Sequence, residues 1–139
     1  MAGPRWDLTG MDAKTLILDY KVKWVSGKQG LYLYVTTTGS LHRMTLRPLN
    51  GYLYYYPTTG TLTVGRLNDG WNHVRVIADI DTQTATVYLN DMENPALVNA
   101  PFLREVETWD QHHLAIRAET DANEVREVYY AEFAVYVAD

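Results

Sequence analysis

Cysteine is absent from this 139-residue chain. That excludes a disulfide framework, a thiolate metal site and a cysteine nucleophile. Positive charge is scarce: 12 Lys and Arg stand against 17 Asp and Glu, a formal net charge of -5. A general binder of nucleic acid or of anionic membranes needs clustered positive charge, so neither partner is expected. Long apolar runs are missing too, and nothing approaches the roughly 20 residues of a membrane span. The opening Met-Ala-Gly-Pro-Arg-Trp-Asp is polar and lacks the apolar stretch of a secretory signal. The chain is therefore expected to be soluble, with the compartment left open. An extracellular or virion-surface setting would need a signal removed from this sequence or another route out of the cell. Phenylalanine is rare at 2, against 11 tyrosines and 4 tryptophans. Aromatics with polar tips suit half-buried or binding surfaces, and they are also favoured in strands.

What is present is strand grammar. In Gly70–Asp91, Val74, Val76, Ala78 and Ile80 alternate with His73, Arg75, Ile77 and Asp79. Asp81-Thr82-Gln83-Thr84 breaks the run, and Ala85, Val87 and Leu89 then alternate with Thr86, Tyr88 and Asn90. Two period-two runs joined by a short polar turn predict a half-buried antiparallel hairpin. The same alternation predicts a strand over Lys14–Ser26, with Leu16, Leu18, Tyr20, Val22 and Trp24 inward. Further strands are expected at 31–35, 41–47, 52–56, 61–66, 112–119 and 125–138, the last being one strand or two. Asn50-Gly51 is a strong hairpin signal, and the 61–66 strand is expected at an edge or bulged at Gly65. Residues 92–109 read as loop, with 104–110 ambiguous between a helical turn and a strand.

About nine strands and no convincing helix, at 47% hydrophobic composition, predict an all-β fold: an antiparallel two-sheet β-sandwich, or jelly roll. The division expected is an irregular N-terminal arm at 1–13, anchored by Trp6 and Leu8 on the sandwich or on a neighbour, followed by a single jelly-roll domain at 14–139.

The central hairpin resembles the concanavalin A-like lectin/glucanase superfamily, and within it laminin-G-like domains. The matching residues are Trp71, Val74 and Val76, then Thr84–Leu89, then Asn90-Asp91, with Glu132, Phe133, Val135 and Val137 in a closing strand. Asp91 departs from the glycine usual at its place. The resemblance implies an antiparallel jelly roll over 14–138 with one sheet often concave. It also implies binding of glycans, proteins or lipids, or glycosidase or lyase activity.

Residues that could carry chemistry are few. Glu105 and Glu107 have the alternate spacing of catalytic carboxylates in that superfamily, but Asp110 falls out of phase, and a solvated acidic loop is the expected reading. His112 and His113 are adjacent, so on a strand they point to opposite faces and cannot chelate together. Relatives often hold calcium on hard oxygen ligands. Asp79 with Asp81, or Asn90 with Asp91, could serve, with turn capping the expected role. No other cofactor is implied.

The strongest lead is aromatic. If Leu53 and Tyr55 face the core, Tyr52, Tyr54 and Tyr56 form an outward row spaced about 6.5–7 Å. Tyr32 and Tyr34 form a second row, and Arg43, Thr45 and Arg47 a polar row on the strand paired through Asn50-Gly51. Tyr rings and Arg donors suit sugar stacking and hydroxyl bonding, and they equally suit a protein interface. The expected function is a non-catalytic module binding carbohydrate on this face. The alternative is a structural protein, such as a virion decoration or capsid-associated protein, using the same face and the arm to contact neighbouring subunits or a second copy.

Overall fold

The computed structural model describes residues 2–8, 10–26, 29–35, 42–56, 60–110, 112–118 and 127–138; of 2–5, 29–35, 42, 117–118 and 127 it describes the backbone alone. Eleven strands run in chain order: β1 Ala2–Asp7, β2 Thr15–Ser26, β3 Gln29–Val35, β4 His42–Leu49, β5 Tyr52–Tyr55, β6 Leu62–Arg66, β7 Asn72–Asp79, β8 Thr84–Leu89, β9 Leu97–Pro101, β10 His112–Ala118 and β11 Glu127–Ala138. They form a six-stranded sheet in the order β1-β10-β3-β4-β5-β6 and a five-stranded sheet in the order β11-β2-β7-β8-β9. Every strand pairing is antiparallel. The fold is the expected two-sheet sandwich.

The inward sets are those the alternation selects. Leu16, Leu18, Tyr20 and Val22 of β2 meet Val74, Val76 and Ala78 of β7 and Ala85 and Val87 of β8, all buried. Opposite them lie Met44 and Leu46 of β4, Leu53 and Tyr55 of β5, and Leu114 and Ile116 of β10. Burial of these side chains is the main favourable term in the fold.

Two strands fall where none is expected. The segment before Lys14 is not irregular throughout: β1 pairs with β10, with a register shift between Ala2 and Arg5. Pro4 is tolerated because β1 is an edge strand, where a missing N–H can face away from the ladder. Trp6 then ties the two sheets together, stacking on Phe133 of β11 at 4.2 Å, with Phe133 stacked in turn on Tyr20 at 4.8 Å. β9 is the other addition, an edge strand carrying Asn99 at φ 51°.

The last strand is one strand with a bulge. Between Ala131 and Ala134 its register on β2 shifts, and Glu132 takes a φ of 52°. The extra residue lets Phe133, Val135 and Val137 all pack against the core. β6 is an edge strand whose pairing with β5 also shifts register, next to Gly65. A Cβ on Gly65 would come within 3.1 Å of the Leu89 Cδ2 on the opposing sheet, so that side chain would have to shift by a few tenths of an ångström to admit one.

Residues 102–110 are neither helix nor strand. They plug one end of the sandwich with Phe102, Val106 and Trp109, all buried. Gln83, at φ 57° in the β7–β8 turn, fastens the plug. Its Nε2 donates to the carbonyls of Val106 (2.6 Å) and Ile80 (2.7 Å), and its Oε1 accepts the Val106 N–H at 2.8 Å. One side chain thus satisfies both backbone groups of a buried residue, as a neighbouring strand would. Gln83→Ala leaves both unpaired, and the expected loss is about 2 kcal/mol, read as a lower urea midpoint at unchanged slope.

Candidate functional site

The site is built on the outer face of β4, β5 and β6. Asn50 and Gly51 turn the β4–β5 hairpin with φ of 52° and 82°, the left-handed geometry that a two-residue hairpin favours. That turn fixes the register: Arg47 opposes Tyr54 and Leu49 opposes Tyr52. Leu53 and Tyr55 are fully buried, and the Tyr55 hydroxyl donates to the Pro101 carbonyl at 2.9 Å. Burial pushes the Tyr55 phenol well above its ordinary pKa. Alternation then sends Tyr52 and Tyr54 outward, and Tyr56 continues their row just past the strand.

The outward row is ordered by its own contacts. The Tyr52 and Tyr54 rings lie 6.3 Å apart, tilted at 40°. The Arg47 guanidinium sits over the Tyr56 ring, 4.8 Å from its centre. Tyr56 N–H donates to the Thr45 carbonyl at 3.2 Å, which carries the β4–β5 pairing past the strand end. Thr45 shares the outward register of Arg47, yet only 1% of it is exposed. Ala115 and His113, on the same face of β10, are buried as well. The middle of this face is thus covered, and Tyr52 and Arg66 are exposed at its β5–β6 side.

The sequence-derived residues do not all gather here. Arg47, Tyr52, Tyr54 and Tyr56 are together. Arg43 leaves the alternation because Leu33 opposes Met44 while Tyr34 opposes His42, so Arg43 is the extra residue of a bulge. It sits at the end of β4, where its carbonyl accepts the Leu103 N–H at 2.8 Å. Burial and the nearby Arg104 lower its pKa. Tyr32 opposes Thr45 and Ala115, and Tyr34 opposes His42 and His113; the side chains of both tyrosines, and of His42, lie outside the described residues. One residue the sequence reading passed over is Arg66. It is exposed and directly opposes Tyr52 across the β5–β6 pairing. The 61–66 strand following the Tyr row was the available signal for it.

The six strands of this sheet contain five arginines, Arg5, Arg43, Arg47, Arg66 and Arg117, against one carboxylate, Asp7. The other sheet carries Lys21, Lys23 and Arg75 against Asp19, Asp79, Glu127 and Glu132. Asp19 accepts from His73 at 2.7 Å and Arg75 at 2.8 Å, and Lys21 meets Glu132 at 2.6 Å. Partial burial raises the Asp19 pKa, but the bonds from His73 and Arg75 outweigh it and hold the carboxyl below its usual range.

The other chemical candidates are placed as follows. Glu105 and Glu107 are exposed on the plug, on either side of buried Val106. Glu105 borders an open depression between the β7–β8 turn and residues 101–105. His112 is buried, which lowers its pKa. Asp79 accepts the Asp81 N–H, and Asp81 pairs with Lys14 at 3.0 Å. Asp91 accepts from Glu93 and Asn94, and Asn90 from His73 N–H. Among the described residues no three His, Asp or Glu side chains gather closely enough to hold a metal ion.

The architecture is that of an antiparallel two-sheet jelly roll. No protein-family model and no curated protein sequence matches the chain. Solved structures do. A sialidase superimposes with a TM-score of 0.70 at 11% identity, over 92% of this chain and 14% of that one. Sheep galectin-11 in complex with glycerol superimposes at 0.60 and 9% identity, over 98% of both chains. The catalytic domain of a glycoside hydrolase family 131 protein from Coprinopsis cinerea gives 0.56 at 13% identity, over 93% of this chain and 58% of that one. The chain thus spans about a seventh of the sialidase it matches and the full length of the galectin. At such identities the likeness is one of fold.

Proposed function

We propose that this protein is a non-catalytic, lectin-like module that binds carbohydrate on the outer face of its six-stranded sheet. The observation that carries the reading is the ordered row of Tyr52, Tyr54 and Tyr56, with Arg47 held over Tyr56 at 4.8 Å. Flat rings offer apolar faces to the C–H side of a sugar ring, and the guanidinium offers donors in a fixed plane to its oxygens. The match to a galectin over nearly its whole length supports the same reading, because there the fold alone makes up the protein. Glycoside hydrolysis needs two carboxylates about 5–9.5 Å apart across one bond. Strands β4, β5 and β6 contain none, which supports a binding role without chemistry.

Tyr54→Ala and Arg47→Ala are each expected to weaken glycan binding at least about tenfold, or about 1.4 kcal/mol, with an unchanged far-UV spectrum. A glycan array followed by titration calorimetry reads the effect. If wild type binds no glycan and instead forms an oligomer that Tyr54→Ala dissolves, the face is a subunit contact and the structural-protein reading replaces this one.

A further inference from the structure

In a chain of net charge -5, the strands of the six-stranded sheet contain five arginines and one carboxylate, and two of the arginines have side chains placed beside the tyrosine row. Two of those arginines flank the tyrosine row from opposite sides. Arg47 on β4 stands level with Tyr54, and Arg66 on β6 stands level with Tyr52. A tyrosine row between two guanidiniums is a stacking platform with a cation on each side.

A neutral glycan is served by hydroxyl and amide partners, which do not oppose one another electrostatically. An anion beside a guanidinium gains a Coulomb attraction that a neutral sugar does not. Guanidinium geometry matches the paired oxygens of a carboxylate or a sulfate, and stacking on an aromatic ring holds it in orientation. The Arg47 guanidinium lies over the Tyr56 ring, 4.8 Å from its centre.

From this we infer that the face recognises an acidic glycan, its sugar rings lying along Tyr52, Tyr54 and Tyr56 and its carboxylate or sulfate groups paired with Arg47 and Arg66. The inference rests on the carbohydrate reading above and narrows it to one ligand chemistry.

The test is an array printed with uronate-bearing, sialylated and sulfated glycans, each beside its carboxyl-reduced or desulfated counterpart, probed with wild type, Arg66→Ala and Arg66→Glu. Arg66 is exposed, so both variants are expected to fold. The expected result is at least tenfold tighter binding to the acidic member of a pair. It is also at least fivefold loss of that binding in Arg66→Ala, a larger loss in Arg66→Glu, and weakening as salt rises from 50 to about 500 mM. Whether reduction or desulfation abolishes the preference distinguishes carboxylate from sulfate. Binding that is equal or tighter for the neutral members overturns the inference while leaving the carbohydrate reading in place. Binding to no glycan of either kind overturns both.

Discussion

Trp109→Ala is expected to lower stability by about 3–5 kcal/mol, enough to remove much of the margin of a small domain. Trp109 is fully buried at the end of the sandwich, edge-on to Phe102 at 6.0 Å. Its indole N–H donates to the Lys14 carbonyl at 3.2 Å, just before β2 begins. Its own carbonyl accepts the His112 N–H at 3.1 Å, where β10 starts. Truncation therefore opens a cavity and removes one of the two donors to the Lys14 carbonyl, leaving it the Ile80 N–H at 3.0 Å. Trp109→Phe keeps most of the volume and loses the hydrogen bond, so its cost should be clearly smaller. Urea denaturation of the two variants beside wild type separates the terms. Equal and small losses would mean that the plug is not part of the cooperative core.

Asn72→Ala is expected to cost about 2–4 kcal/mol. Asn72 is 1% exposed at the start of β7, at the entrance to the central hairpin. Its Oδ1 accepts the Asn68 N–H at 2.7 Å and the Asn90 amide at 2.9 Å. Its Nδ2 reaches the carbonyls of Asn68, Gly70 and Val22 at 3.1, 3.2 and 3.4 Å. One amide thus ties the loop before β7 to the turn after β8 and to β2 at Val22. Alanine removes all of these bonds at once. Asn72→Asp keeps the acceptor but loses both donors and buries a charge among carbonyls, so it should be at least as damaging. A stability change under 1 kcal/mol for either variant would show that water replaces the bracket readily.

Much of the sandwich was legible because burial on one face imposes a period of two. The inward sets of β2, β4, β7 and β8 follow from it directly; for β5 alternation left two registers open, and the burial of Leu53 and Tyr55 selects the one that sends Tyr52, Tyr54 and Tyr56 outward. The strands missed, β1 and β9, are both edge strands. An edge strand has a partner on one side only, so it tolerates Gly3, Pro4, Asn99 and Pro101, which erase the pattern. Arg43 was placed in the polar row because alternation was carried through a bulge, and a bulge leaves no mark in hydrophobicity. Nor could local sequence show that residues 102–110 form a plug, since Gln83, Lys14 and Arg43, which hold it, are distant along the chain. Net charge is a total of -5, and a total does not register how the fold distributes it: the six-stranded sheet contains five arginines against one carboxylate.

Under the proposed function the ligand lies on β4, β5 and β6. Titration of the isotope-labelled protein with the tightest glycan from the array, followed by backbone amide NMR, locates it. The largest shifts are expected at Thr45, Arg47, Tyr54, Tyr56 and Arg66. Shifts concentrated at 82–84 and 101–105, around the depression beside the plug, or on the five-stranded sheet near Asp19 and Arg75, would contradict that placement.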